Sequence, residues 1–166
     1  MRSSSHQFDK IVNEHKNMIF NLLFRLTGDY HLSEDLFQET FIKVYRSIKD
    51  FKQQAKLSTW IYSIAINVFK DHARKRRWQI LKPSDWNNPI DTMSPEIKFI
   101  IEQEKENIQK KITLLKESIR IPIVLYYIQG LSISRIAEIT GRTQTDIKVS
   151  LYRARKILKK GLENEK

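Results

Sequence analysis

Leu131–Lys160, LSISRIAEITGRTQTDIKVSLYRARKILKK, is the stretch that decides the reading of this chain. It divides at Gly141 into two helical patterns. Ile133, Ile136 and Ala137 give the first pattern one apolar side. Ile147, Leu151, Ala154 and Leu158 recur at helical spacing and form a single stripe on the second. Thr143 predicts an N-cap, with Asp146 three residues on in a weak form of the capping box. The outward face of the second helix then carries Gln144, Thr145, Lys148, Tyr152, Arg153 and Lys156. An apolar stripe behind a basic, hydrogen-bonding face is what a helix needs to lie in a DNA major groove while anchored to its own domain.

Composition agrees with a polyanionic partner. The chain has 166 residues, 30 of them Lys or Arg against 19 Asp or Glu, for a formal charge of +11. Such an excess points first to nucleic acid and second to an anionic membrane surface. A chain with no cysteine has neither disulfides nor thiolate metal sites, and fits a reducing cytoplasm. It has no apolar run long enough to span a bilayer and no signal-peptide pattern, so stable membrane insertion is not expected. Gly and Pro number only four each, and strand signals are few. The expected fold is therefore all-α: two small helical domains joined by a flexible linker, the C-terminal one with a helix-turn-helix.

Upstream, residues 1–5 read as a loose tail. Phe8, Ile11, Val12, Ile19, Leu22, Leu23 and Leu26 then keep helical spacing until Thr27-Gly28. A second helix starts near Asp29 or Ser33 and buries Leu32, Leu36, Phe37, Phe41, Val44 and Ile48. Glu34, Asp35, Gln38 and Glu39 cluster near its start. By residue type alone they fit a solvated face matched to the helix dipole as well as a docking surface. Residues 49–58 lack a period and read as a loop. A third helix follows from about Thr59 to Arg77, with Trp60, Ile61, Ile64, Ala65 and Val68 inward and a basic second half. Basic residues beside Phe51, Trp60, Tyr62 and Phe69 suit phosphate contact with base stacking, although Trp60 and Phe69 also fit a core.

These helices define a first domain over residues 6–78. Pro83, Pro89, Pro95 and Asn87-Asn88 mark a linker over residues 79–95. Fully extended, residues 78–95 span roughly 60 Å at ~3.3 Å each, nearly two turns of B-DNA at ~34 Å per turn. Trp78 and Trp86 imply that it packs on something. A second domain occupies residues 96–166. Ser94-Pro95-Glu96 reads as its opening cap, and Ile97, Ile101, Ile108, Ile112 and Leu115 as a helix stripe. Another helix covers Glu117 to Ile128, where Pro122 either lies in the first turn or delays the start.

Catalytic patterns are missing. His6, His15, His31 and His72 are scattered without metal-ligand spacing, and no phosphate-cradling, zinc-protease or nucleophile-elbow motif occurs. No catalytic residue, metal or cofactor is therefore assigned.

Four segments resemble one known family, the extracytoplasmic-function (ECF) group of bacterial sigma factors, members of the sigma-70 family. They are SEDLFQETFIKVY, STWIYSIAINVFKDHARKRR, LKESIRIPIVLYYIQGLS and IAEITGRTQTDIKVSLYRARKIL, in the family's order on either side of a linker. The resemblance covers residues 8 to about 160. It implies a non-enzymatic, cytoplasmic bacterial protein that binds core RNA polymerase, recognises −10 and −35 promoter elements and helps melt DNA. It implies that residues 6–78 correspond to sigma-70 region 2 and 96–166 to region 4. Asp35, Gln38, Glu39 and Thr40 would dock on the β′ clamp helices. Phe51, Lys56, Trp60, Asn67, Asp71, Arg74 and Lys75 would handle the −10 element, with the loop from Phe51 to Lys56 receiving a flipped base. Lys148, Tyr152, Arg153 and Lys156 would meet the −35 element, the second domain would also sit on the β flap, and an anti-sigma factor is an implied partner. The rival reading is a stand-alone helix-turn-helix transcriptional regulator, which needs neither the acidic face nor the aromatic-basic loop.

Departures from the family pattern concentrate in the second domain. Lys116 stands where the family has Pro, and Pro122 where it has Val. In the last helix Thr145, Asp146, Val149 and Ser150 replace Gly, Thr, Ser and Arg. The expectation is a DNA face short of one cation at Ser150, with an added acid at Asp146, and a correspondingly altered promoter preference.

Overall fold

Helix α1, Arg2–Thr27, follows the apolar period read from its sequence, with Ile11, Ile19, Leu22, Leu23 and Leu26 buried. The computed structural model describes residues 2–52, 54–80 and 108–163. The expected loose tail is helical from Arg2 onward. Gly28 stops the helix in the left-handed region at φ 69°, its N–H bonded to the Phe24 carbonyl at 2.8 Å. Asp29 caps α2, Tyr30–Ser47, by accepting from the Leu32 N–H at 3.0 Å. A short 3₁₀ turn, Ile48–Asp50, leads through the loop into α3, Leu57–Ile80. Trp78 and residues 79–80 of the expected linker continue helix α3, whereas residues 81–95 with Trp86, the cap at Ser94-Pro95-Glu96, and Ile97 and Ile101 of the next stripe lie outside the described residues.

The C-terminal half resumes with helical residues 108–114, here α4. Helix α5, Glu117–Ile123, continues directly into a wide π turn, Val124–Ile128. Gly130, at φ 67°, ends that turn. Helices α6, Ile133–Thr140, and α7, Gln144–Glu163, form the helix-turn-helix around Gly141. The capping box is present: the Asp146 N–H donates to Thr143 Oγ1 at 3.1 Å, and Asp146 Oδ2 accepts from Thr143 Oγ1 at 2.6 Å. These bonds hold the Asp146 carboxyl below the usual carboxylate range, the Thr143 hydroxyl contributing most.

Pro122 is neither in the first turn nor ahead of the helix. It sits in the second turn of α5 and is buried. A proline there has no N–H for the carbonyl four residues back, that of Ser118. Arg142 supplies the missing donor, its Nη1 reaching Ser118 O at 2.8 Å. Its Nη2 donates to Ser150 Oγ, also at 2.8 Å. Arg142→Ala is expected to lower stability by about 1–2 kcal/mol, because two acceptors lose their donor. Pro122→Val returns an N–H to Ser118 and should shrink that loss. A double-mutant cycle by urea unfolding checks the coupling; strictly additive effects would mean that Arg142 does not serve that carbonyl.

The two domains pack directly on one another, α1 and α3 lying against the π turn and α6. Their buried apolar side chains form one cluster that runs from Ile11 to Ala154. Arg120 is the polar centre of the junction. Its Nη1 donates to Leu26 O in α1 at 2.8 Å, its Nη2 to Leu115 O at 2.8 Å and to Thr113 O. The guanidinium carbon lies 5.9 Å from the centroid of the Phe69 ring. Burial pulls the Arg120 pKa below the usual guanidinium value, with nearby Glu117 opposing the shift. Tyr62 donates from its hydroxyl to Gln129 Oε1 at 2.9 Å, and burial pushes its pKa up to about 12. Arg25 and Gln109 complete the contact, with Arg25 Nη1 to Gln109 Oε1 at 3.2 Å and Gln109 Nε2 to Arg25 O at 3.0 Å. At Gly28 a Cβ would stand 2.8 Å from Thr113 Cγ2, so glycine serves both the backbone angle and the approach of α4.

Candidate nucleic-acid interface

Helix α3 separates its two tasks by angle. At ~100° per residue, Trp60, Asn67, Asp71, Arg74 and Lys75 share one side of the helix. Asn67, Arg74 and Lys75 are exposed there, and Asp71 is half-buried. Tyr62, Ile66 and Phe69 fall on the other side and are buried. Tyr62 and Phe69 therefore belong to the core and the junction between domains, not to a base-stacking surface. Trp60 is partly buried and meets Phe51 with ring centroids 4.9 Å apart at 34°. Lys56 is exposed beside this pair, and its carbonyl accepts the Trp60 N–H.

The aromatic-basic patch extends further than the sequence indicated. Phe8 and Tyr45 pack edge to face, their centroids 5.0 Å apart. With Phe51, Arg46 and Lys49 they line a cleft of about 500 Å³ between the start of α1 and the end of α2. Phe8 lies far from Phe51 in the chain and scored only as a core position in the helical period, so no local signal joined them.

Helix α2 presents Asp35, Gln38 and Glu39 to solvent. Thr40 does not join them. One residue past Glu39 the helix has turned inward, and Thr40 is fully buried with its hydroxyl donating to Leu36 O at 2.7 Å. Ile42 takes an outward place on this face instead and is 49% exposed. Sequence reading passed over it because isoleucine reads as core.

A chain of charges joins the α2 face to the α3 stripe. Lys43 Nζ lies 3.0 Å from Glu39 Oε1 and 3.9 Å from Asp71 Oδ2. Arg74 Nη2 donates to Asp71 Oδ1 at 3.1 Å. Exposed pairs of this kind are worth ~0–1 kcal/mol each, so their effect is to aim side chains. Asp71 is oriented from both helices at once.

On α7, Lys148, Tyr152, Arg153 and Lys156 are all exposed, opposite buried Ile147, Leu151 and Ala154. Two expected departures change meaning here. Ser150 is buried and bonded to Arg142, so its position faces the domain interior and removes no cation from the outward face. Asp146 spends its carboxylate on the Thr143 cap. Among the described residues, no cluster of His, Asp and Glu could hold a metal ion, and no helix is long and apolar enough to cross a membrane.

The chain is similar to known proteins over most of its length. Residues 11–79 match Sigma-70 region 2, and residues 105–158 match Sigma-70, region 4. The ECF RNA polymerase sigma factor SigW of Bacillus subtilis is 32% identical over 167 residues, covering 95% of this chain and 89% of that protein. The RNA polymerase sigma-H factor of Pseudomonas aeruginosa is 29% identical, covering 98% and 89%. Among solved structures, the sigma factor RpoE of Bartonella quintana, in complex with the anti-sigma factor NepR, superposes with a TM-score of 0.73 at 22% identity, covering 96% of this chain and 99% of that one. CnrH, in complex with the cytosolic domain of CnrY, also superposes at 0.73, with 20% identity and 98% and 91% coverage.

Proposed function

We infer the function from one premise: the chain belongs to the extracytoplasmic-function family of RNA polymerase sigma factors. It is a sigma factor of transcription initiation, a DNA-binding partner of RNA polymerase and not a stand-alone regulator. The finer assignment is our own. In it, Asp35, Gln38 and Glu39 meet the β′ clamp helices, with Ile42 as an apolar contact among them. Thr40 supports that helix from inside.

Phe51, Lys56, Trp60, Asn67, Asp71, Arg74 and Lys75 take the −10 element, where phosphates need cations, opened bases need hydrogen bonds and unstacked rings need aromatic surface. Lys148, Tyr152, Arg153 and Lys156 take the −35 element as duplex. The second domain rests on the β flap. The polymerase makes the phosphodiester bonds, and this chain carries no catalytic step. It works in the bacterial cytoplasm. An anti-sigma factor is its regulator, in parallel with the complex named above for RpoE.

The observation that carries the assignment is that the polar faces of α2, α3 and α7 all remain open to solvent, each backed by buried apolar residues. Run-off transcription with core polymerase on a promoter library tests it. Promoter-selective transcripts should appear only when chain and core polymerase are combined. Tight, sequence-specific duplex binding by the chain alone would favour the stand-alone regulator instead.

A further inference from the structure

Among the described side chains of α7, Val149 and Ile157 are exposed aliphatic residues outside the core stripe, and Val149 stands at a telling place. Ile147, Leu151 and Ala154 are buried, whereas Val149 is 41% exposed. At ~100° per residue, Val149 lies close to the middle of the outward face. Thr145 is one turn before it, Arg153 one turn after, and exposed Tyr152 beside it. Lys148, Arg153 and Lys156 surround it with cations. A single exposed hydrophobic side chain needs no explanation by itself. A β-branched one in the second turn of a helix-turn-helix recognition helix is different. It is a poor helix former on a solvated surface, and that turn is the part of such a helix that reaches base edges.

Its polar neighbours have other work. Asp146 is held by Thr143 and Ser150 by Arg142, so neither is free to read a base beside it. The apolar group that a base pair offers in the major groove is the C5 methyl of thymine. We propose that Val149 is a specificity-determining residue that packs its γ-methyls on a thymine methyl of the −35 element, with the Tyr152 ring beside the contact. The proposal rests on α7 being the −35 helix. The cations around Val149 fit duplex DNA as the occupant of this face better than a protein, because the patch is apolar only at its centre.

The test uses holoenzyme formed from the full chain and core polymerase. Duplexes are first selected from a library randomised over the upstream element. Each thymine of the selected element is then replaced singly by deoxyuridine, which lacks only the C5 methyl. One such replacement should weaken binding roughly fourfold, the worth of one methyl group removed from an apolar contact. Val149→Ala should bind the thymine duplex more weakly by a similar factor and no longer distinguish deoxyuridine. Val149→Thr, which keeps one γ-methyl, should still distinguish them. Indifference of the wild-type holoenzyme to every deoxyuridine would overturn the proposal. So would equal losses for Val149→Ala on both duplexes, which would mean a contact with protein. Arg153→Ala and Lys156→Ala separate the two levels. If they too leave binding unchanged, the −35 reading of α7 fails; if they weaken it while deoxyuridine does not, only the role of Val149 fails.

Discussion

Arg120→Ala should destabilise the folded chain by about 3 kcal/mol and loosen the contact between its two domains. The side chain reaches carbonyls of Leu26, Thr113 and Leu115, and among the described residues no acidic side chain bonds to it. Hydrogen bonds from a charged donor are worth ~1.5–3 kcal/mol each. The group is only about half-buried, so water would recover part of the loss, and the sum is discounted accordingly. Against a typical total of ~5–15 kcal/mol, the change is large. Arg120→Lys is the informative control. It keeps the charge but has one point of donation where the guanidinium has a fork, and it should recover a minority of the loss. Urea unfolding measures the stability and small-angle scattering the spread of the domains. An Arg120→Ala chain with wild-type stability and radius of gyration would show that the apolar contacts alone hold the junction.

Asp35→Arg should weaken binding to core polymerase by roughly 30-fold or more, on the order of 2–5 kcal/mol for a charge lost from a buried polar pair across an interface. The residue is exposed, so the fold should tolerate the change to within about 0.5 kcal/mol. Asp35 is a cleaner target than Glu39, whose carboxylate already faces Lys43 at 3.0 Å. Reversal at Glu39 would confront Lys43 with a second cation and disturb Asp71 through it. Titration of labelled chain with core polymerase, beside thermal unfolding of the free protein, separates docking from folding. Unchanged affinity at unchanged stability would remove α2 as the docking surface.

What could be read in advance followed from local physics. The 3.6-residue period marked the cores of α1, α2, α3 and α7. Glycines 28 and 141 marked the stops, and Thr143 with Asp146 the start of the recognition helix. What escaped depended on angle or on distant partners. Thr40 lies one residue from Glu39 yet points inward, and a motif carries no angle with it. Tyr62 and Phe69 resembled stacking aromatics because the surface that covers them comes from the other domain. The start of α1 has no apolar period to announce it. Ile42 was passed over because hydrophobic residues invite a core assignment before exposure is known, and Val149 stood out only as a departure from the family pattern.

The clasp made by Arg142 bears on how such a protein can be inherited or rebuilt. Pro122 leaves the Ser118 carbonyl of α5 without its helical donor, and an arginine in the turn between α6 and α7 ties that carbonyl to a serine in α7 through a single guanidinium. A recognition helix transplanted from a relative with arginine in place of Ser150 would bring a second cation against the first at a buried position. Promoter preference here is consequently not a portable cassette of α7 residues. The transferable unit runs from Ser118 through Ser150, and its odd members travel together or not at all.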